Sequence, residues 1–153
     1  MYNTELIAEN LHHVYYGNNW TDVSIADTLN GISYRQAIQK TDASANTIAA
    51  LVNHLWFWNT IILQRMNGVN PAIPEENGMD VTGINSEQEW SDLIHRLQIS
   101  FDELINAVRA FPADKLELLV KDRTTTIGFN LLGIVEHAHY HLGQIVLLKN
   151  LVN

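Results

Sequence analysis

His137-Ala138-His139-Tyr140-His141-Leu142-Gly143-Gln144 lies inside the last strongly helical segment of the chain. At about 100° per residue, Ile127, Asn130, Leu131, Ile134, Ala138, Ile145 and Leu148 share one mostly apolar stripe, the side a bundle helix turns inward. His137 and His141, one turn apart, sit within that stripe, whereas His139 points almost opposite, toward the polar side with Glu136. Two imidazoles at i and i+4 on a buried face are costly unless something satisfies them. A divalent metal is the simplest answer, because side chains at this spacing converge on one point. Hydrogen-bonded core histidines are the alternative, since His-x3-His also arises by chance. A third ligand from elsewhere in the chain would decide between the two.

At 153 residues a single domain spanning 1–153 is expected, long enough to bury about 70% of its unfolded surface. Hydrophobic residues make up 46% and charged residues 17%, the balance of a soluble globular protein. The formal charge of −8, with no basic cluster, argues against a nucleic-acid partner. There is no cysteine, so neither a disulfide nor a thiolate metal site is possible and any thiol must arrive with a substrate. The N-terminal MYNTELIAEN lacks the basic start and apolar core of a signal peptide, and no apolar run reaches membrane-spanning length. A cytoplasmic location is expected.

Residues from about 3 to 16 form a first amphipathic helix with Ile7, Leu11, Val14 and Tyr15 on one face, ended by Gly17-Asn18-Asn19. A connection follows, holding a short helical turn at Ser33–Ala37. The second long helix begins near Ser44-Ala45-Asn46 and runs to about Met66, before Asn67-Gly68. Its stripe of Ile48, Leu51, Val52, Leu55, Trp58 and Ile62 is widened by Trp56, Phe57, Ile61 and Leu63 around most of the cylinder. A helix apolar on nearly every side is covered from more than one direction. A homodimer with Trp56 or Phe57 near the contact is expected, the alternative being cover by the connection between the first two long helices.

Residues 67–85 are too rich in Gly, Pro and Asn to be regular, and long enough to cross the end of a bundle. Ser86-Glu87-Gln88-Glu89 resembles a capping box for a third helix over about 86–110, with Trp90, Leu93, Leu97, Phe101, Leu104 and Val108 as its stripe. Residues 116–126 are irregular or briefly extended, since Leu118–Val120 and Thr124–Thr126 favour strand. The fourth long helix runs from about Gly128 to Leu151. The fold class is therefore all-α, a four-helix bundle.

Of the seven histidines, His12, His13, His95 and His139 have outward or marginal positions. His54 remains, beside the stripe of the second long helix and flanked by Trp58 and Ile61. It can approach His137 and His141 in the bundle interior; the alternative is a helix-flank histidine bonded to a loop carbonyl. Three imidazoles without a fourth strong protein ligand would leave a position open for water or substrate.

Asn53-His54-Leu55-Trp56 and Gly133-Ile134-Val135-Glu136-His137-Ala138-His139-Tyr140-His141-Leu142-Gly143-Gln144-Ile145 resemble the motifs of the DinB/YfiT-like family, and the likeness covers essentially the whole chain. That family carries a lone histidine in its second helix and His-x3-His followed by Gly-Gln in its fourth. By position the resemblance implies His54, His137 and His141 as metal ligands, with His139 at a variable place. It also implies non-sequential, crossover connections in the bundle, a divalent metal such as zinc or nickel, and often a homodimer. It includes thiol-dependent S-transferases and metal-dependent hydrolases, so it leaves the reaction open.

The expected partner is a small-molecule substrate, with a low-molecular-weight thiol as cosubstrate under the transferase reading. A hydrolase using activated water and a non-catalytic metal-binding bundle are the alternatives. Gln144, one turn past His141, is a candidate donor or acceptor behind a ligand. Glu136 projects away from the stripe and is a poor general base. Tyr140 is expected to pack rather than to bond a substrate. With no other carboxylate placed near the metal, the hydrolase lacks an evident proton shuttle.

Overall fold

Among the described residues every α-helix starts on a short polar side chain that accepts from an otherwise unpartnered backbone N–H. The computed structural model describes residues 3–152; residues 1, 2 and 153 of the expected domain lie outside the described residues. Asn3 caps α1 (Thr4–Tyr16), and Ser24 caps α2 (Ile25–Leu29). Ser33 and Gln36 cap α3 (Tyr34–Ala37) reciprocally. Thr47 caps α4 (Ile48–Met66) through the Ala50 N–H. Ser86 caps α5 (Glu87–Ala110), with the Glu89 carboxylate accepting from the Asn85 N–H at 2.7 Å and from the Ser86 hydroxyl at 2.9 Å. Thr126 caps α6 (Ile127–Leu151).

Two elements differ from the sequence reading. The second long helix starts at Ile48 rather than near Ser44, because Thr41 and Ser44 close a small bridged turn and Thr47 supplies the cap. The short α2 is not expected from periodicity, since five residues span little more than one turn; its signal is Ser24 three residues before Asp27. The expected extended character of 116–126 takes the form of one antiparallel bridge between Leu119 and Thr126, with the Val120 N–H donating to the Thr125 carbonyl at 3.0 Å.

The four long helices form a ring in which α1 and α4 each pack against both α5 and α6. Cross-helix pairs set their directions. Tyr16 bonds Asp102 while Glu5 pairs with Arg109, so α1 and α5 are antiparallel. Arg96 lies over Trp56 while Asn59 donates to Ser100, so α4 and α5 run parallel. Residues 67–86 therefore return along the length of the bundle. Arg65 bonds Asn130 while His54 meets His137, so α4 and α6 are antiparallel. The α1–α4 connection crosses one end, pinned where Trp90 Nε1 donates to the Ile32 carbonyl at 2.8 Å and Lys149 Nζ to the Thr28 carbonyl at 2.7 Å.

Leu11, Leu55, Leu93, Leu97, Phe101, Leu104, Leu131 and Ile145 are fully buried in one core, each contributing on the order of 1.5–3 kcal/mol by removal from water. The wide apolar surface of α4 is covered from within the chain. Arg96 stacks over the Trp56 ring at 4.9 Å, and Gly78, in the 67–86 connection, lies directly on Phe57. The cover thus comes from α5 and from the connection between the second and third long helices, while α3, in the connection between the first two, also packs against α4. Among the described residues no helix is long and apolar enough to cross a membrane.

Candidate metal centre

His54 stands near the middle of α4, and His137 and His141 on successive turns of α6. Antiparallel packing of these helices brings the three rings together, with ring centroids 4.8 Å apart for His54–His137, 4.7 Å for His54–His141 and 4.4 Å for His137–His141. One nitrogen from each lies within 4.8 Å of the others, a group that can hold a metal ion. His54 and His141 are buried and His137 is half-buried.

The outer edges of two rings are already committed. His54 Nδ1 is 2.6 Å from the Asn77 carbonyl oxygen, and His141 Nδ1 is 2.6 Å from Gln144 Oε1. An oxygen of either kind only accepts, so both Nδ1 atoms carry the proton and both Nε2 atoms keep a lone pair for the centre. His54 Nε2 and His137 Nε2 face each other at 2.9 Å. Two such nitrogens need one proton or a shared cation between them. His137 Nδ1 is buried and, among the described residues, has no hydrogen-bond partner.

Burial, reinforced by the nearby His141, holds the His54 pKa below its ordinary value against the opposing Asn77 bond. Burial likewise lowers that of His141, opposed by Gln144. His137 is pushed down to about 3, by burial first and then by the charges its two neighbours would carry. All three rings are therefore neutral near pH 7, the form a metal requires. Three neutral imidazole nitrogens suit a first-row divalent ion such as zinc, with a coordination position left over. The residues fit the group.

A family model for the DinB superfamily matches residues 19–145. The chain belongs to the DinB superfamily. No curated protein and no solved structure shows a significant match.

In this DinB-superfamily chain the histidines at the motif positions, His54, His137 and His141, come together and the remaining ones stay apart. His139 Nδ1 turns back to the Val135 carbonyl at 3.0 Å. His12 and His95 are exposed, and His13 is half-buried on α1. Glu136 is exposed, away from the centre. Both readings of His54 hold at once: one ring nitrogen bonds a loop carbonyl while the other faces the centre. Tyr140 is 65% exposed, its ring packed edge-on against that of His141 at 5.0 Å.

Asn77 is the site residue that sequence reasoning missed. Its carbonyl holds His54, and its Oδ1 accepts from Trp58 Nε1 at 3.1 Å. Trp58 in turn walls the centre, 6.0 Å from His137. Asn77-Gly78 signals a turn, both residues having positive φ, but nothing local says which helix that turn will touch.

Proposed function

We propose that this chain holds a divalent ion, zinc or nickel, at His54, His137 and His141 and acts as an S-transferase that joins a low-molecular-weight thiol to an electrophilic small molecule. The observation that carries the reading is the fixed protonation of the cluster: Asn77 and Gln144 hold the Nδ1–H groups of His54 and His141, and burial keeps all three rings uncharged. When bound, such an ion supplies Lewis acidity that lowers the pKa of a thiol brought to it.

The chain's own residues orient and exclude. Asn77 and Gln144 fix the two ring planes, and Trp58 closes one side against water. Among the described residues no carboxylate joins the cluster, and none contributes to the shifted pKa values of its histidines. Hydrolysis of an amide or ester usually needs a proton shuttle. Thiol transfer needs positioning more than acid–base help. A cytoplasmic location belongs to the same proposal, because thiols stay reduced there.

A homodimer is also part of the proposal, with its surface moved from α4 to α6. Phe129, Leu132, Tyr140, Leu147 and Leu151 are all at least 40% exposed and lie along the outer side of α6, an apolar row that water rarely keeps.

Cobalt-substituted protein tests the transferase reading. A low-molecular-weight thiol at millimolar concentration should produce a thiolate-to-cobalt charge-transfer band that His141→Ala abolishes. A spectrum that no physiological thiol perturbs would remove the reading.

A further inference from the structure

Arg65, near the end of α4, is only 7% exposed and, among the described residues, has no acidic partner. Among the described residues the ion pair is Arg109–Glu5, elsewhere in the bundle. Arg65 Nε donates to Asn70 Oδ1 at 3.2 Å and Nη1 to Asn130 Oδ1 at 2.8 Å, both uncharged amides. Nη2 is buried and, among the described residues, has no hydrogen-bond partner. The Trp58 ring, 5.4 Å from Cζ, offsets part of the cost through its π face. A buried guanidinium still lacks a counter-charge here, and that is an expensive arrangement.

The surroundings add positive charge. Arg65 lines a cavity of about 310 Å³ together with Arg123, Trp58, Phe129, Ile134 and the metal-centre residue His137. Burial, and then the like charge of Arg123, lowers the Arg65 pKa, so the two guanidinia are within electrostatic reach. A second cavity, which Arg65 also lines, has Lys115 and Lys121 in its wall, and among the described residues no acidic one lines either cavity. Four of the nine Lys and Arg residues thus gather at one end of a chain whose formal charge is −8. Asp114, Glu117 and Asp122 alternate with Lys115, Lys121 and Arg123 along the same segment, so the positive character belongs to the cavity walls rather than to that whole end of the bundle.

We infer that the cavity between Arg65 and His137 is a subsite for a small organic acid, its carboxylate toward Arg65 and Arg123 and its apolar body along Trp58, Phe129 and Ile134. A carboxylate supplies the missing charge and accepts from guanidinium N–H groups with matched planar geometry. The volume suits a compact acid, at the lower end of small-molecule sites. Because His137 is in the same wall, the far end of the acid lies beside the three-histidine centre. The acid's role as the electrophile rests on the transferase reading above; its binding does not.

The test is calorimetric titration of phenylacetate, its neutral analogue phenylacetamide, and phenyl phosphate into zinc-loaded and chelator-treated protein. Wild type should bind phenylacetate at least about tenfold tighter than the amide, the scale of a charge-assisted hydrogen bond. Arg65→Gln should abolish that preference. Arg123→Gln, at an exposed position that cannot unfold the core, should reduce it even if Arg65→Gln fails to fold. Equal binding of acid and amide by wild type, or a preference untouched in a folded Arg65→Gln or in Arg123→Gln, would overturn the inference. Phenyl phosphate binding about tenfold tighter than phenylacetate would overturn the carboxylate assignment. An Arg65-dependent preference in protein that takes up no metal would uphold the subsite while removing the metal reading.

Discussion

Gln144 Oε1 lies 2.6 Å from His141 Nδ1, one turn along α6. The amide oxygen keeps the proton on Nδ1 and turns Nε2 toward the centre. Gln144→Leu keeps the volume and loses the acceptor, so metal affinity should fall roughly 10–100-fold with the helix intact. Chelator competition measures this. Gln144→Glu, which retains an acceptor, should keep most of the affinity; equal loss in both variants would show that the bond is incidental.

Metal content should separate the histidines by angle. His54→Ala, His137→Ala and His141→Ala should each lose the ion from protein purified without an affinity tag. His139→Ala should retain it, since His139 turns back to the Val135 carbonyl outside the cluster. The assignment fails if His139→Ala empties the site while His137→Ala leaves it filled.

Gly78 has φ +73°, and a Cβ there would stand 2.6 Å from Phe57 Cγ. Gly78→Ala must push the turn off α4, and the turn carries Asn77. Stability should fall by roughly 1–3 kcal/mol, and zinc affinity should fall too, although no ligand is changed. Urea unfolding and chelator competition read the two effects; wild-type values in both would mean that Asn77 does not hold His54 in place.

Acid should destabilise the metal-free protein in a defined window. Above the ordinary histidine pKa of 6.5, folded and unfolded chains both carry a neutral His137, so its contribution does not vary with pH. Below 6.5 the unfolded chain takes up a proton that folded His137 refuses until about pH 3, so stability falls as pH falls through that interval. The lowered pKa values of His54 and His141 act in the same direction. Urea midpoints of chelator-treated protein should decline across this range, and less steeply in His137→Gln. Parallel pH profiles for the two proteins would contradict the burial argument.

Self-association through α6 should respond to charge. Leu147 is 58% exposed, so Leu147→Glu should leave the fold intact and shift sedimentation from dimer to monomer at micromolar concentration. A wild-type monomer under those conditions would end the dimer proposal.

The long helices and the inward pair on α6 were legible in the sequence because both are local. A helix repeats every 3.6 residues, so the angular separation of His139 from His137 and His141 follows from numbering along one rod. The cap Ser86 is equally local, satisfied within a few residues. His54 entered through its place beside the apolar stripe of α4 and then through its motif, and its meeting with His137 needed only that two amphipathic helices pack on their apolar sides.

Other relationships were decided by tertiary structure alone. The cover of Phe57 by Gly78, the grip of Asn77 on His54, and the lack of an acidic partner for Arg65 all depend on where distant segments run. Residues 67–86 have no hydrophobic period to specify a path. Their route follows from α4 and α5 being parallel neighbours, which requires the chain to travel back along the bundle before the next helix can begin. Burial, and with it each pKa shift and each unmet charge, exists only once those segments have displaced water from the surfaces they cover.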